Sequence, residues 1–420
     1  MLSSLGLALH ALSPAPRASP ARCCRLPPVQ AAVMEPRAAQ TPLMSADAAV
    51  AEWCAASGRP QAAVTVIDAQ ETAQVLRDFW YVSRSLGESG EFNGQHVLAF
   101  PHWADGNDPR RFERLLAHIS TCSEACTHLG DSLMVIGRHP QSVAIEGEAT
   151  PPYPMLLLRG FATGNELPPV DEGEELPWFY SDDDADDPFA ALGEEMEAPP
   201  PATDEEVIDA TTKWVDAVIV HMKVCPFSGS TYRAGLPVGG VTYPLCPATT
   251  AEELYQAFWQ EVENLAATDE KTLATVLLVA PHFTVAGPTA ESKAAAAEAF
   301  DCFADTLNDA LTTLNLEEQL QLVFFHPQYT FRDGGERAGG DGAAANYARR
   351  SPYPMVNLLR TPQVRAAQKG VPTGSVYTTN EDNLATIGAA ELDRMLEERE
   401  WTPLFERKFK AHNVDVIRGV

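Results

Sequence analysis

Residues 240–259 read GVTYPLCPATTAEELYQAFW, and residues 63–80 read AVTVIDAQETAQVLRDFW. In each stretch a short β-branched run gives way to a polar break. An amphipathic helical pattern then leads to Phe-Trp. Working outward, the likeness continues. QHVLAFPHW (95–103) answers TVLLVAPHF (275–283), DSLMVIGRHPQ (131–141) answers LQLVFFHPQ (320–328), and PPYPMLLLRG (151–160) answers SPYPMVNLLR (351–360). Four blocks in one order point to a duplicated unit. The predicted fold is α/β: two related α/β sandwich units, each a small sheet packed with helices, forming a pseudo-dimer by internal duplication.

The second copy is the better defined. Thr203 and Glu206 form a capping box. Behind it Val207, Thr211, Trp214, Val215, Val218 and Met222 recur at helical spacing until Pro226 stops the helix, leaving Cys225 at its end. A strand near 240–245 precedes a helix from Thr249 or Thr250 to about Ala267. Residues 275–280 and 320–325 read as buried strands separated by an Ala-rich helix over 291–314, with His326 at the tip of the second strand. Ser351-Pro352 reads as a helix cap with proline at the first helical position, opening a helix that runs to about Gln368.

Composition sets the boundaries. Residues 1–45 are rich in Ala, Ser and Pro, carry Arg17, Arg22, Arg25 and Arg37, and hold one acid, Glu35. That is the composition of an organelle transit segment, expected to be disordered, with plastid (chloroplast) preferred and mitochondrion second. Residues 46–165 form a degenerate first copy, 166–203 an acidic disordered linker, 204–390 the complete domain and 391–420 a C-terminal helical extension. The net charge of −28 is concentrated: 16 acidic residues and no Lys or Arg lie between Glu166 and Glu206, and the remainder carries about −12. Such a chain is a poor partner for nucleic acid or an anionic membrane surface, which need cationic patches. No apolar run reaches the roughly 18–20 residues of a membrane span. The eight cysteines include no CxxC pair, so reduced thiols are expected. No metal site and no cofactor motif are read; Gly334–Gly342 lacks the P-loop order.

The duplication serves as an internal control. Only the second copy has Cys225-Pro226-Phe227, the stretch from Asn346 through Arg349 and Arg350 to Ser351, and the Gly-rich insert 333–342; the first has Glu146 and Glu148 before its PYPM. Cys225 with His326 as base and Asn346 as orienting amide is the expected catalytic set. Arg349, Arg350, Ser351 and Tyr353 are the expected ligand-binding set, because guanidinium groups beside a helix start suit phosphate or carboxylate. His139 occupies the place of His326 in the first copy, which also allows a structural role. His118, Cys122 and Cys126, like His221 and Cys225, have helical spacing that zinc could use, but no second pair accompanies either set.

These motifs resemble the domain-of-unknown-function family 1415. The likeness is carried by Cys225-Pro226-Phe227, by 325–331 (FHPQYTF), by Asn346-Tyr347 through Arg350–Met355, and by 383–386 (NLAT), and it covers about residues 205–390. The long Gly-rich insert and His221 depart from the family pattern. The resemblance implies the domain and no particular reaction. The expected function is binding of a small anionic metabolite by the C-terminal domain, with Cys/His-based hydrolase or transferase chemistry on it. The alternative is a non-catalytic assembly or regulatory factor with a protein partner docking on the acidic linker.

Overall fold

The computed structural model describes residues 44–88, 94–124, 133–142, 145, 147–160, 202–228, 239–287, 289–331, 342–369, 374–410 and 412. Residues 1–43 of the expected transit segment, nearly all of the acidic linker, residues 333–341 of the Gly-rich insert, Cys126 and Glu146 lie outside the described residues. The first unit runs α1 (Ala46–Ala56), β1 (Ala63–Val66), α2 (Thr72–Glu88), β2 (Gln95–Ala99), α3 (Pro109–Glu124), β3 (Leu133–Arg138) and β4 (Met155–Gly160). The second runs α4 (Asp204–Trp214, continued by a π-helix, Val215–His221), β5 (Gly240–Thr242), α5 (Ala251–Ala267), β6 (Leu273–Val279), α6 (Ala290–Thr313), β7 (Leu320–Phe325) and β8 (Met355–Arg360). It closes with α7 (Thr361–Gln368), α8 (Ser375–Ile387), α9 (Ala389–Glu398) and α10 (Thr402–Phe405).

The two four-stranded sheets are similarly built, in the orders β1-β2-β4-β3 and β5-β6-β8-β7. In each, the first pair is parallel and the last strand in sequence inserts antiparallel between its neighbours. Both helical crossovers of a unit step the same way across its sheet. Right-handed connection therefore puts both helices on one face, α2 with α3 and α5 with α6. Those faces meet: α2 lies along α5 and α3 along α6, and one apolar core spans both units. Trp80 of α2 stacks on Tyr255 of α5 at 5.0 Å, Tyr255 on Phe303 of α6 at 4.8 Å, and His118 of α3 meets Trp259 edge-on at 5.7 Å. Arg77 closes the rim on Glu263. The opposite faces carry separate cores, α1 on the first sheet and α4 with α8–α10 on the second.

The predicted capping box of Thr203 with Glu206 is present, the second helix takes Thr250 as its cap and forms a further box with Glu253, and β7 spans the expected 320–325. The helix expected over 352–368 is corrected. Residues 355–360 form β8, a central strand, and the helix begins only at Thr361, with Pro362 in its first turn. The residue before a proline is pushed towards extended backbone, so Ser351-Pro352-Tyr353-Pro354 leads into a strand. The Ser351 hydroxyl donates to the Tyr353 carbonyl at 2.6 Å and caps no helix. Among the described residues, no helix is long and apolar enough to cross a membrane.

Candidate functional site

The outer face of the second sheet holds a cavity of about 430 Å³. Its floor follows the strand register. Phe325 lies in one row of β7–β8–β6; Val323, Asn357 and Leu277 form the next, and Gln321, Leu359 and Thr275 the third. The roof comes from the chain after α4 and from the start of α8. In the π-helix the turns widen. Beyond it Lys223 takes a left-handed φ of 58° and the Cys225 amide bonds to the Ile219 carbonyl at 3.3 Å. That reversal brings Cys225, Pro226 and Phe227 into the cavity wall. Insertions of this kind in helices recur at functional sites.

Arg349 also lines the cavity. Its guanidinium donates to the Phe324 carbonyl at 3.3 Å and lies over the rings of Phe325 and Tyr329 at 5.7 and 5.9 Å. Among the described residues no carboxylate pairs with it. Arg350 is turned elsewhere, donating to the Tyr329 carbonyl and to the Tyr347 hydroxyl, whose ring it covers at 4.8 Å. Burial and the Asp393 carboxylate push that phenol up to about 12. Tyr353 is buried beneath Arg399 in the core of this face. Of the four expected ligand-binding residues, only Arg349 reaches the cavity.

The expected Cys225–His326–Asn346 set does not assemble. His326 is 1 % exposed and stacks on Phe300 of α6 at 4.8 Å, on the face of the sheet opposite the cavity. Its Nδ1 accepts the Gln328 amide at 3.1 Å. The Thr284 hydroxyl donates to the Phe283 carbonyl, so Thr284 Oγ1, 3.3 Å from the ring, accepts from Nε2–H. Both nitrogens are thus engaged in a neutral ring, and burial lowers its pKa to about 3. His139 repeats the arrangement, Nδ1 accepting from the Gln141 amide and Nε2 donating to Gly106. Asn346 is buried and accepts the Phe331 amide at 3.1 Å, bracing the loop before β8. His118 and Cys122 are interior, with burial lowering the histidine to about 4 and raising the thiol to about 12. Among the described residues no cluster of three or more His, Cys, Asp or Glu is placed to hold a metal.

Three lining residues were missed. Thr275, Asn357 and Asn380 line the cavity, and each has a buried oxygen without a hydrogen-bond partner among the described residues. For Asn357 a signal existed: an amide interrupts the apolar MVNLLR where the first unit has Leu157. In that unit the outer face is packed differently. Trp53 donates from Nε1 to the Ala149 carbonyl, and Arg59 and Arg138 both pair with Glu148, holding that carboxyl down at about 2.

Residues 206–394 match the family model described as "Protein of unknown function (DUF1415)", and this segment is a member of that family. No curated protein and no solved structure matches the chain.

Proposed function

We propose that the second unit is a small-ligand-binding domain whose outer-face cavity takes a molecule with an apolar body and an anionic group held by Arg349. The observation that carries this is a guanidinium with no carboxylate partner among the described residues, facing a largely apolar cavity of about 430 Å³, within the size range of small-molecule sites. A carboxylate is the natural complement to a planar guanidinium. Cys225 stands in the same wall and supplies a thiol for hydrolase or transferase chemistry; its base comes from a group other than His326.

In this reading the first unit is a duplicated, degenerate copy that acts as a structural partner. Its own outer face carries instead Trp53, bonded to the Ala149 carbonyl, and the Arg59–Glu148–Arg138 ion pairs. The Arg-bearing, acid-poor start of the chain supports plastid targeting, and the acidic stretch after residue 166 serves as a tether or docking strip. Calorimetric titration with pentanoate tests the site. Arg349→Gln is expected to abolish binding and Arg350→Gln to retain it, each variant first matched to wild type by its unfolding midpoint. Binding that ignores Arg349 would overturn the reading.

A further inference from the structure

The cavity's polar groups define its ligand more narrowly than an anion. Asn380 is 6 % exposed, and its Nδ2 donates to the Val224 carbonyl at 2.9 Å. That bond settles which way the amide points, leaving Oδ1 as a buried acceptor without a donor. Thr275 is 5 % exposed and its Oγ1 is likewise unpartnered, as is Asn357 Oδ1 in the middle row of the floor. Buried polar atoms without partners occur elsewhere among the described residues, but these three oxygens border one cavity, where a ligand can reach them. Glu381 lines the same cavity one residue beyond Asn380. The wall therefore offers a guanidinium near the Phe325 row and acceptors with a carboxylate elsewhere. Asn357 lies one row from Phe325, a strand advance of about 7 Å.

We infer that the ligand is a zwitterion of the amino-acid class. Its carboxylate pairs with Arg349, and its ammonium, a donor of N–H bonds only, turns towards Asn357, Asn380 and Thr275. The two groups are separated by a short apolar chain on the order of 7 Å long, matching one row of the floor. Plain fatty acids leave the acceptors unsatisfied, and plain amines leave Arg349 unpaired. A site built to bond a polar group rejects the analogue that lacks it far more strongly than it rejects a change of one methylene. The inference rests on the anion-binding reading above.

The test is calorimetric titration of the full chain with three probes of one length: 5-aminopentanoate, pentanoate and pentylamine. Wild type should bind 5-aminopentanoate at least about tenfold more tightly than pentanoate. Asn357→Leu should remove that preference while keeping pentanoate binding. The first unit carries Leu157 at the matching register, so this variant suits the sheet. Equal affinity for 5-aminopentanoate and pentanoate, both lost in Arg349→Gln, would overturn the zwitterion and leave the anion site standing. Pentylamine binding as well as 5-aminopentanoate would overturn both. So would the absence of binding by any of the three up to about 10 mM, the weak end of measurable affinity.

Discussion

His326 sits at a strand tip beside residues that invite a catalytic reading, and its environment makes the opposite case testable. The ring is buried, stacked on Phe300, and bonded through Nδ1 and Nε2 to Gln328 and Thr284 as the neutral form. Protonation would place a second donor against the Gln328 amide and a charge in the core. Burial accordingly lowers the pKa from 6.5 to about 3. The sign follows directly. The unfolded chain binds the proton first, so stability is full above about pH 6.5 and falls as pH drops towards 3. At pH 5 the loss from this one ring is about 2 kcal/mol, at 1.4 kcal/mol per pH unit below 6.5. His118, lowered to about 4, adds a similar amount. Denaturant unfolding at pH 7.5 and 5 measures the total. His326→Asn, whose amide oxygen stands in for the Nδ1 acceptor, should lower stability at pH 7.5 yet remove about half the drop. Nitrogen chemical shifts of the imidazole report the tautomer and the titration. A His326 ring that titrates near or above 6, or carries its proton on Nδ1, would refute the reasoning.

Other expectations follow from packing and charge. Trp80→Ala, at the stack that joins the two units, should cost about 3–5 kcal/mol. Because the core is continuous, fluorescence and circular dichroism should still report one transition; two separated transitions would contradict a shared core. Glu148→Gln should destabilise by about 3–5 kcal/mol, since it leaves Arg59 and Arg138 half-buried without their carboxylate. Glu148's own acid loss belongs below about pH 4.5, as its pKa of about 2 is depressed, and the variant should flatten the stability profile there. Leu277→Trp, filling the cavity from the middle row of the floor, should cost no more than about 1–3 kcal/mol of unfolding free energy and abolish pentanoate binding.

The repeated architecture was legible because its signals are local. The capping box at Thr203, the Thr cap before α5, β-branched runs and apolar helix faces each announce themselves within a few residues, and similar blocks in one order in the two halves reinforce each other. The strand at 355–360 was misread because Ser-Pro before an apolar run satisfies a helix-start pattern as well as an extended one. Only pairing with β6 and β7, far away in sequence, decides between them. The site was partly legible. Comparing the two halves singled out Cys225 and Arg349, which do share a cavity. The same comparison could not say that β7 turns Phe325 to the cavity face and leaves His326 against α6, where one residue's difference changes the side of the sheet. Asn357 was readable as an amide within an apolar strand. Asn380 was not, since its role comes from the Val224 carbonyl that orients it. The NLAT motif turns out to hold the C-terminal segment, Asn383 exchanging two hydrogen bonds with the Lys410 backbone.

The central claim is that Arg349 draws anions into a cavity whose wall holds Cys225. Alkylation of Cys225 by iodoacetate and by iodoacetamide, read at that residue by mass spectrometry at one pH, tests it most directly. The anionic and neutral reagents differ little in size, so the unfolded chain supplies the reference ratio. The account predicts that the folded protein raises the iodoacetate-to-iodoacetamide rate ratio about tenfold over that reference, equivalent to about 1.4 kcal/mol of charge attraction. It also predicts that Arg349→Gln returns the ratio to the reference. A ratio equal to that of the unfolded chain, or a Cys225 that reacts only after unfolding, would contradict it.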